Sequence, residues 1–165
     1  MNGKLASLNA EVKAANVNIV TIQETHSKRK GKIIMAKEFV IFEAIRPSKN
    51  GGTLCAIHED LNPKLIEEYN NPFELLVVQV EVQNKSVRIM TGVGPQENWE
   101  ENKRTPFFIA LEAEVVKAQC TGKSVIIQID SIISYLWPID FYQFVMNHKN
   151  KWLPEQLHHA WCIFT

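Results

Sequence analysis

Three features of the chain predict an α/β fold. Two short β-branched runs, residues 18–23 and 124–129, are each followed by a carboxylate, Glu24 and Asp130. Each run follows a stretch with apolar residues at helical spacing. Between them lie several short strands separated by turn residues, the pattern of successive antiparallel pairing.

The first helix is read from Leu5, Leu8, Val12 and Ala15, which recur at three- and four-residue steps over 4–15. Asn16 suits its C-terminal end. Ile19, Val20 and Ile22 then form a run of the kind buried on both faces of a sheet. An unpaired carboxylate inside a sheet costs several kcal/mol, so Glu24 is expected where the strand emerges. A carboxylate on such a rigid support suits a hard cation such as Mg²⁺; the alternative is an ordinary strand-end charge facing water.

Residues 26–37 carry Lys28, Arg29, Lys30, Lys32 and Lys37 with no acid among them. The segment reads as a solvated loop or, beside a metal ligand, as a phosphate-neutralising one. Residues 39–42 and 53–57 read as strands joined through Ser48-Lys49-Asn50-Gly51-Gly52, with Asn50-Gly51 as the turn pair. Residues 65–69, 75–82 and 87–91 continue the strands. Leu76, Val78, Val80 and Val82 alternate with more polar neighbours, predicting one buried and one open face, and Asn84-Lys85 is read as a turn. Thr105-Pro106 predicts a helix start with proline at the first helical position. Phe108, Leu111, Val115 and Ala118 give that helix its apolar stripe, ending near Thr121-Gly122. The strand 124–130 repeats the opening pattern, so both carboxylates are expected at one rim, where they share a metal or position a water.

Composition limits the alternatives. The 165 residues, 45% of them hydrophobic, suffice for one domain with a real core. Lys+Arg and Asp+Glu both number 18, so an electropositive surface must be local. Cys55, Cys120 and Cys162 are far apart, which speaks against a disulfide framework or a zinc site and for a reducing compartment. With no signal-peptide core and no apolar run of ~18 residues, the expectation is an intracellular chain, nuclear or cytoplasmic, without membrane contact. Residues 131–165 form a divergent tail holding eight of the fifteen aromatic residues and three of the five histidines. Periodicity fades there, no ligand spacing supports a metal at His148, His158 or His159, and the segment is left unassigned.

Four segments together resemble successive motifs of the endonuclease/exonuclease/phosphatase superfamily: residues 18–26 (NIVTIQETH), 51–58 (GGTLCAIH), 89–95 (IMTGVGP) and 124–130 (SVIIQID). The pattern is most similar to the endonuclease domains of non-LTR (LINE-type) retrotransposons, an origin that a following reverse-transcriptase frame would settle. The resemblance spans about residues 2–130 and implies a partial four-layered α/β-sandwich. It also implies Mg²⁺-dependent cleavage of phosphodiesters, with Mn²⁺ as a substitute, and DNA as substrate. The family's metal-ligating glutamate falls on Glu24 and its Asp-x-Asn motif on Asp130-Ser131-Ile132, making Asp130 the catalytic and second metal residue. Asn2 resembles the asparagine-glycine step after the family's first strand. With Lys28, Arg29, Lys30 and Lys32 it completes the expected phosphate contacts.

The departures predict a weakened site. The family's tyrosine before Gly-Pro is Val93 here, and the asparagine of Asp-x-Asn is Ile132, which donates no hydrogen bond. The resemblance would put the family's first strand before Met1 and its closing Asp-His pair, with the general base, beyond Thr165. A lost base costs roughly 10²–10⁴ in rate, and a lost preorganised donor roughly 10²–10³. The expectation is therefore a degenerate copy with little or no turnover and at most weak DNA binding. The alternatives are an inactive nucleic-acid- or protein-binding remnant and another phosphoesterase of the superfamily. The Glu24 and Asp130 carboxylates are expected ~4–8 Å apart, given Mg–O distances of ~2.1 Å. The tail is expected not to complete the sandwich in the family's manner.

Overall fold

Asn16 turns the chain from helix to sheet. In a computed structural model, helix α1 (Asn2–Ala14) ends with Asn16 at φ 52°, where Asn16 N–H donates to Lys13 O and Val17 N–H to Val12 O. That pair of bonds is a Schellman cap, and Val17 and Val12 share the adjoining core cluster, as the motif requires. Strand β1 (Ile19–Gln23) follows at once, every residue buried. The structure describes residues 2–27, 29–31, 35–45, 51–70, 73–95, 99–130 and 161–163, the side chains of 2–6, 103, 130 and 161–163 excepted.

The remaining elements are β2 (Phe39–Ala44), β3 (Thr53–His58), β4 (Lys64–Tyr69), β5 (Glu74–Val82), β6 (Lys85–Val93), α2 (Glu101–Cys120), β7 (Ser124–Asp130) and β8 (Trp161–Ile163), with a 3-10 turn over Glu59–Leu61. They build two four-stranded sheets, β2-β3-β1-β8 and β4-β5-β6-β7. Strands β1–β3 pair antiparallel in their sheet and β4–β6 in theirs, while β8 joins β1 and β7 joins β6 in parallel.

Three apolar clusters define four layers. Ile19, Cys55, Ile57, Leu76, Val78, Val80, Val82, Val87 and Ile89 fill the space between the sheets. Leu8 and Val12 of α1, with Ala15 just after it, cover the outer face of the first sheet through Val20, Ile22, Leu54 and Ala56. Phe107, Leu111 and Val115 of α2 cover the outer face of the second through Leu75, Val77 and Met90. This is the expected partial α/β-sandwich.

Several local expectations are corrected. Helix α2 begins at Glu101, so Pro106 lies inside it rather than at its first position. Proline removes one backbone bond there, but Phe107, Leu111 and Val115 bury against the sheet, and each such burial contributes about 1.5–3 kcal/mol. The inward anchor is Phe107, with Phe108 packed beside it. Strand β5 has no open face over its first half, because Leu75 and Val77 meet α2 while Leu76 and Val78 meet the other sheet. The β5–β6 turn is Gln83-Asn84, both at positive φ (49° and 61°), so Lys85 already belongs to the strand. Strand β7 is half-buried where full burial was expected, because it is the last strand of its sheet among the described residues. In the tail, residues 161–163 add one short strand beside β1; residues 131–160 lie outside the described residues.

Candidate functional site

Glu24 follows the last residue of β1 and takes a left-handed backbone at φ 54°, uncommon for a residue with a side chain. The two residues that follow it are held by backbone bonds: Thr25 N–H donates to Gly52 O at 3.0 Å and His26 N–H to Gly51 O at 2.9 Å. Gly52 itself has φ 92°, and a Cβ there would fall 2.5 Å from Thr25 Oγ1, so the Gly51-Gly52 step lets the two segments close together. This gives the paired glycines a role in supporting Glu24; Asn50 of the expected Asn50-Gly51 turn pair lies outside the described residues.

The Glu24 side chain is about one-quarter exposed, and its Oε2 lies 3.7 Å from His26 Nδ1. His26 is exposed and forms an ion pair with Glu24 when its imidazole is protonated. Glu24 thus sits where the strand emerges, half-open to solvent, as the cost of burying a carboxylate requires.

One residue before it, Gln23 is buried and turns into the space between the sheets. Its Nε2 donates to Thr91 Oγ1 of β6 at 3.0 Å. Thr91 stands opposite Gln128 of β7, and Val93 opposite Asp130. The chain ends of β1 and β7 therefore reach the same rim of the sandwich, with Asp130 two residues beyond the partner of Thr91. The Asp130 side chain lies outside the described residues, as does that of Asn2, which begins α1.

The basic segment is only partly described. Lys30 Nζ meets both carboxylate oxygens of Glu68 on β4, at 2.6 and 2.8 Å. Gly31 N–H donates to Glu43 Oε2 on β2 at 2.5 Å. Arg29 is exposed, with its carbonyl accepting from Ser27 Oγ. Lys28 and Lys32 lie outside the described residues. Two carboxylates from the edge strands of the two sheets thus hold residues 30–31 at the sandwich edge. A depression of about 270 Å³ lies there, lined by Lys30, Gly31, Ile41, Phe42, Glu43, Leu65 and Glu68.

Of the two carboxylates expected at this rim, Glu24 alone has a described side chain. Glu24 offers a partly exposed carboxylate on a constrained backbone, with ligand oxygens of the type Mg²⁺ takes. Among the described residues no three His, Cys, Asp or Glu side chains come together as a metal cluster. The Val93 side chain is buried and apolar and offers the rim no donor. Sequence reasoning missed Thr91 and the role of Gln23. The available signal was a glutamine inside a β-branched run, a polar group that a buried strand holds only with a partner.

No protein-family model matches the chain, and no curated protein matches it. Solved structures do. The human Nocturnin catalytic domain with bound sulfate aligns at TM-score 0.62 and 11% identity, covering 87% of this chain and 61% of that one. TDP2 from Caenorhabditis elegans aligns at 0.58 and 11%, covering 93% and 45%. D. rerio TDP2 complexed with a single-strand DNA product aligns at 0.53 and 15%, covering 92% and 58%. The chain spans between 45% and 61% of the length of these structures. At such identities the likeness is one of fold: an α/β-sandwich of the endonuclease/exonuclease/phosphatase type. No helix among the described residues is long and apolar enough to cross a membrane.

Proposed function

We propose that this chain carries the core of a Mg²⁺-dependent phosphodiesterase acting on DNA, of the non-LTR retrotransposon endonuclease kind, with its site reduced to little or no turnover. The observation that carries the reading is the Gln23–Thr91 bond, which with the β6–β7 register brings the strand ends of Glu24 and Asp130 to one rim. Three solved structures of this fold type, one of them holding a DNA product, support the phosphodiester class.

In this reading Glu24 and Asp130 hold the cation. When bound, it supplies positive charge that offsets the charge developing on the phosphate during in-line attack. The left-handed turn at Glu24 keeps its carboxylate at the rim, and His26 beside it restrains its direction when protonated. Asp130 orients the attacking water. Val93 and Ile132 supply no hydrogen bond to the phosphate or the water, and each lost donor lowers the rate by roughly 10²–10³.

DNA binding is weak in this reading: Lys30 is engaged by Glu68, which leaves Arg29 and Lys37 as the exposed cations among the described residues of the basic segment. The test is nicking of supercoiled plasmid in Mg²⁺ or Mn²⁺ by the 165-residue chain and its Glu24→Ala variant. No nicking above background by either is expected. Robust nicking by the parent that disappears in the variant would show that the site turns over despite Val93 and Ile132.

A further inference from the structure

We infer that Gln23 and Thr91 form a positioning pair: their hydrogen bond across the sandwich sets the separation between the strand end that carries Glu24 and the one that carries Asp130. The inference rests on the proposed assignment of those carboxylates to one cation, and it adds two residues to that site.

The setting of the bond carries the argument. Core residues between the sheets are overwhelmingly aliphatic, from Ile19 to Ile89. At the rim end this core turns polar, with Thr21 and Gln23 on β1 and Thr91 on β6, all buried. A polar pair inside an apolar core contributes little net stability, since each partner gives up its bonds to water to form it. What such a pair does supply is a fixed geometry, because only one alignment of the sheets brings Gln23 Nε2 onto Thr91 Oγ1; Gln23 Oε1 is buried without a partner among the described residues. Hydrophobic contacts between two stacked sheets tolerate small slides; a 3.0 Å bond between single atoms on β1 and β6 does not.

The location of the bond is as telling as its chemistry. Gln23 immediately precedes Glu24, whose left-handed backbone is pinned by the bonds from Thr25 and His26 to the Gly51-Gly52 step. Little slack therefore separates the Gln23 amide from the Glu24 carboxylate. On the other sheet Thr91 stands opposite Gln128, and the parallel ladder runs on through Gly92–Ile129 to Val93–Asp130. A displacement of Thr91 relative to Gln23 is transmitted along two short, hydrogen-bonded stretches to the two proposed ligands. Those ligands come from different sheets, and the Gln23–Thr91 bond crosses between the sheets at this end.

The experiment measures Mn²⁺ affinity, without DNA and without turnover, on the full 165-residue chain. The variants are Thr91→Val, which keeps the shape and removes the hydroxyl, Gln23→Met, the double variant, and Thr91→Ser, which restores the hydroxyl. Glu24→Gln marks the site itself. Thr91→Val and Gln23→Met are each expected to weaken Mn²⁺ roughly 10- to 100-fold, the range for groups that orient metal ligands. The double variant should be no worse than either single one, and Thr91→Ser should recover most of the loss. Melting temperatures read in parallel show whether each variant is folded.

If Glu24→Gln abolishes Mn²⁺ binding while folded Thr91→Val binds within twofold of the parent, the positioning inference is wrong and the metal site stands. If Mn²⁺ binding is insensitive to Glu24→Gln, the proposed site is wrong and the positioning inference falls with it. Additive losses in the double variant would show two independent packing defects and would likewise overturn the pair.

Discussion

Arg88 on β6 reaches Glu114 on α2 at 3.2 Å, and both side chains are almost sealed from water between helix and sheet. Tyr69 and Lys117 also turn to the same carboxylate. This polar knot fastens α2 to the outer face of the second sheet. Removing one partner of a buried pair leaves the other charge unpaired, at a cost of about 3–5 kcal/mol. Arg88→Met is expected near the lower end of that range, because Lys117 still reaches Glu114. The joint replacement Arg88→Met with Glu114→Leu is expected to cost much less than Arg88→Met alone. Urea unfolding of the parent and the two variants measures this directly; equal losses for the single and joint variants would show that the pair's charges are not coupled.

Alkaline pH should unfold the protein through three groups. Burial pushes the Cys55 thiol from 9.0 up to about 12. Burial and the Glu114 charge raise Tyr69 above 10.0, and the hydrogen bond to Glu114 raises Lys117 above 10.5. All three hold their protons more tightly folded than unfolded, so their contribution is complete below the unfolded values and is lost as pH rises through the folded ones. The contribution of these three groups is expected to be level below about pH 9 and to fall from there toward pH 12. In Cys55→Ala the fall should begin about one unit later, near the tyrosine value. Denaturant midpoints across pH 8–11 check the onset, and an unchanged onset in Cys55→Ala would remove the thiol from the account.

The same burial makes Cys55 unreactive in the folded chain, whereas Cys120 at the end of α2 is exposed. Alkylation at neutral pH followed by peptide mapping should label Cys120 and leave Cys55 untouched until the protein is unfolded.

Two glycines separate packing from backbone strain. A Cβ on Gly92 would lie 2.2 Å from Glu74 O, inside the β5–β6 ladder, whereas Gly31 has open space around it but a φ of +74°. Gly92→Ala must push two paired strands apart and is expected to cost about 3 kcal/mol or more. Gly31→Ala pays only for the left-handed backbone, about 1–2 kcal/mol. Comparable losses in thermal or urea melts would contradict this reading of Gly92.

The Lys30–Glu68 pair predicts how DNA affinity responds to charge. Glu68→Gln frees the ammonium group and is expected to tighten binding to short DNA several-fold at low salt, since an exposed pair is worth about 0.2–1 kcal/mol. Lys30→Ala should lower the salt slope by about 1 if the side chain meets a phosphate. No change in affinity or salt slope in either variant, followed by fluorescence anisotropy, would take Lys30 out of the interface.

What could be read from the sequence was local. The strand of Ile19, Val20 and Ile22, the αL end of α1 at Asn16 and the α2 end at Gly122 follow from β-branching and from residues that accept positive φ. Pro106 misled because local backbone preference was outweighed by burial of Phe107, Leu111 and Val115, and burial depends on a sheet the helix pattern does not reveal. The double burial of β5 was hidden because Leu75 and Val77 read as interruptions of an alternating strand until α2 lies against them. Of the site, Glu24 was legible as a carboxylate ending a buried strand. Its support from Gly51-Gly52 and the bond from Gln23 to Thr91, 68 residues apart in sequence, exist only once the two sheets are stacked.

The central claim is that Glu24 and Asp130 share one cation at one rim of the sandwich. A crystal of the 165-residue chain soaked in Mn²⁺, with an anomalous difference map, measures it most directly. One peak between the two carboxylates is predicted, within about 2.0–2.4 Å of an oxygen of one residue and reaching the other directly or through one bound water, with the carboxylates roughly 4–8 Å apart as hard-cation coordination distances require. A peak bound elsewhere, or Glu24 and Asp130 carboxylates pointing to opposite sides of the rim with no peak between them, would contradict the account.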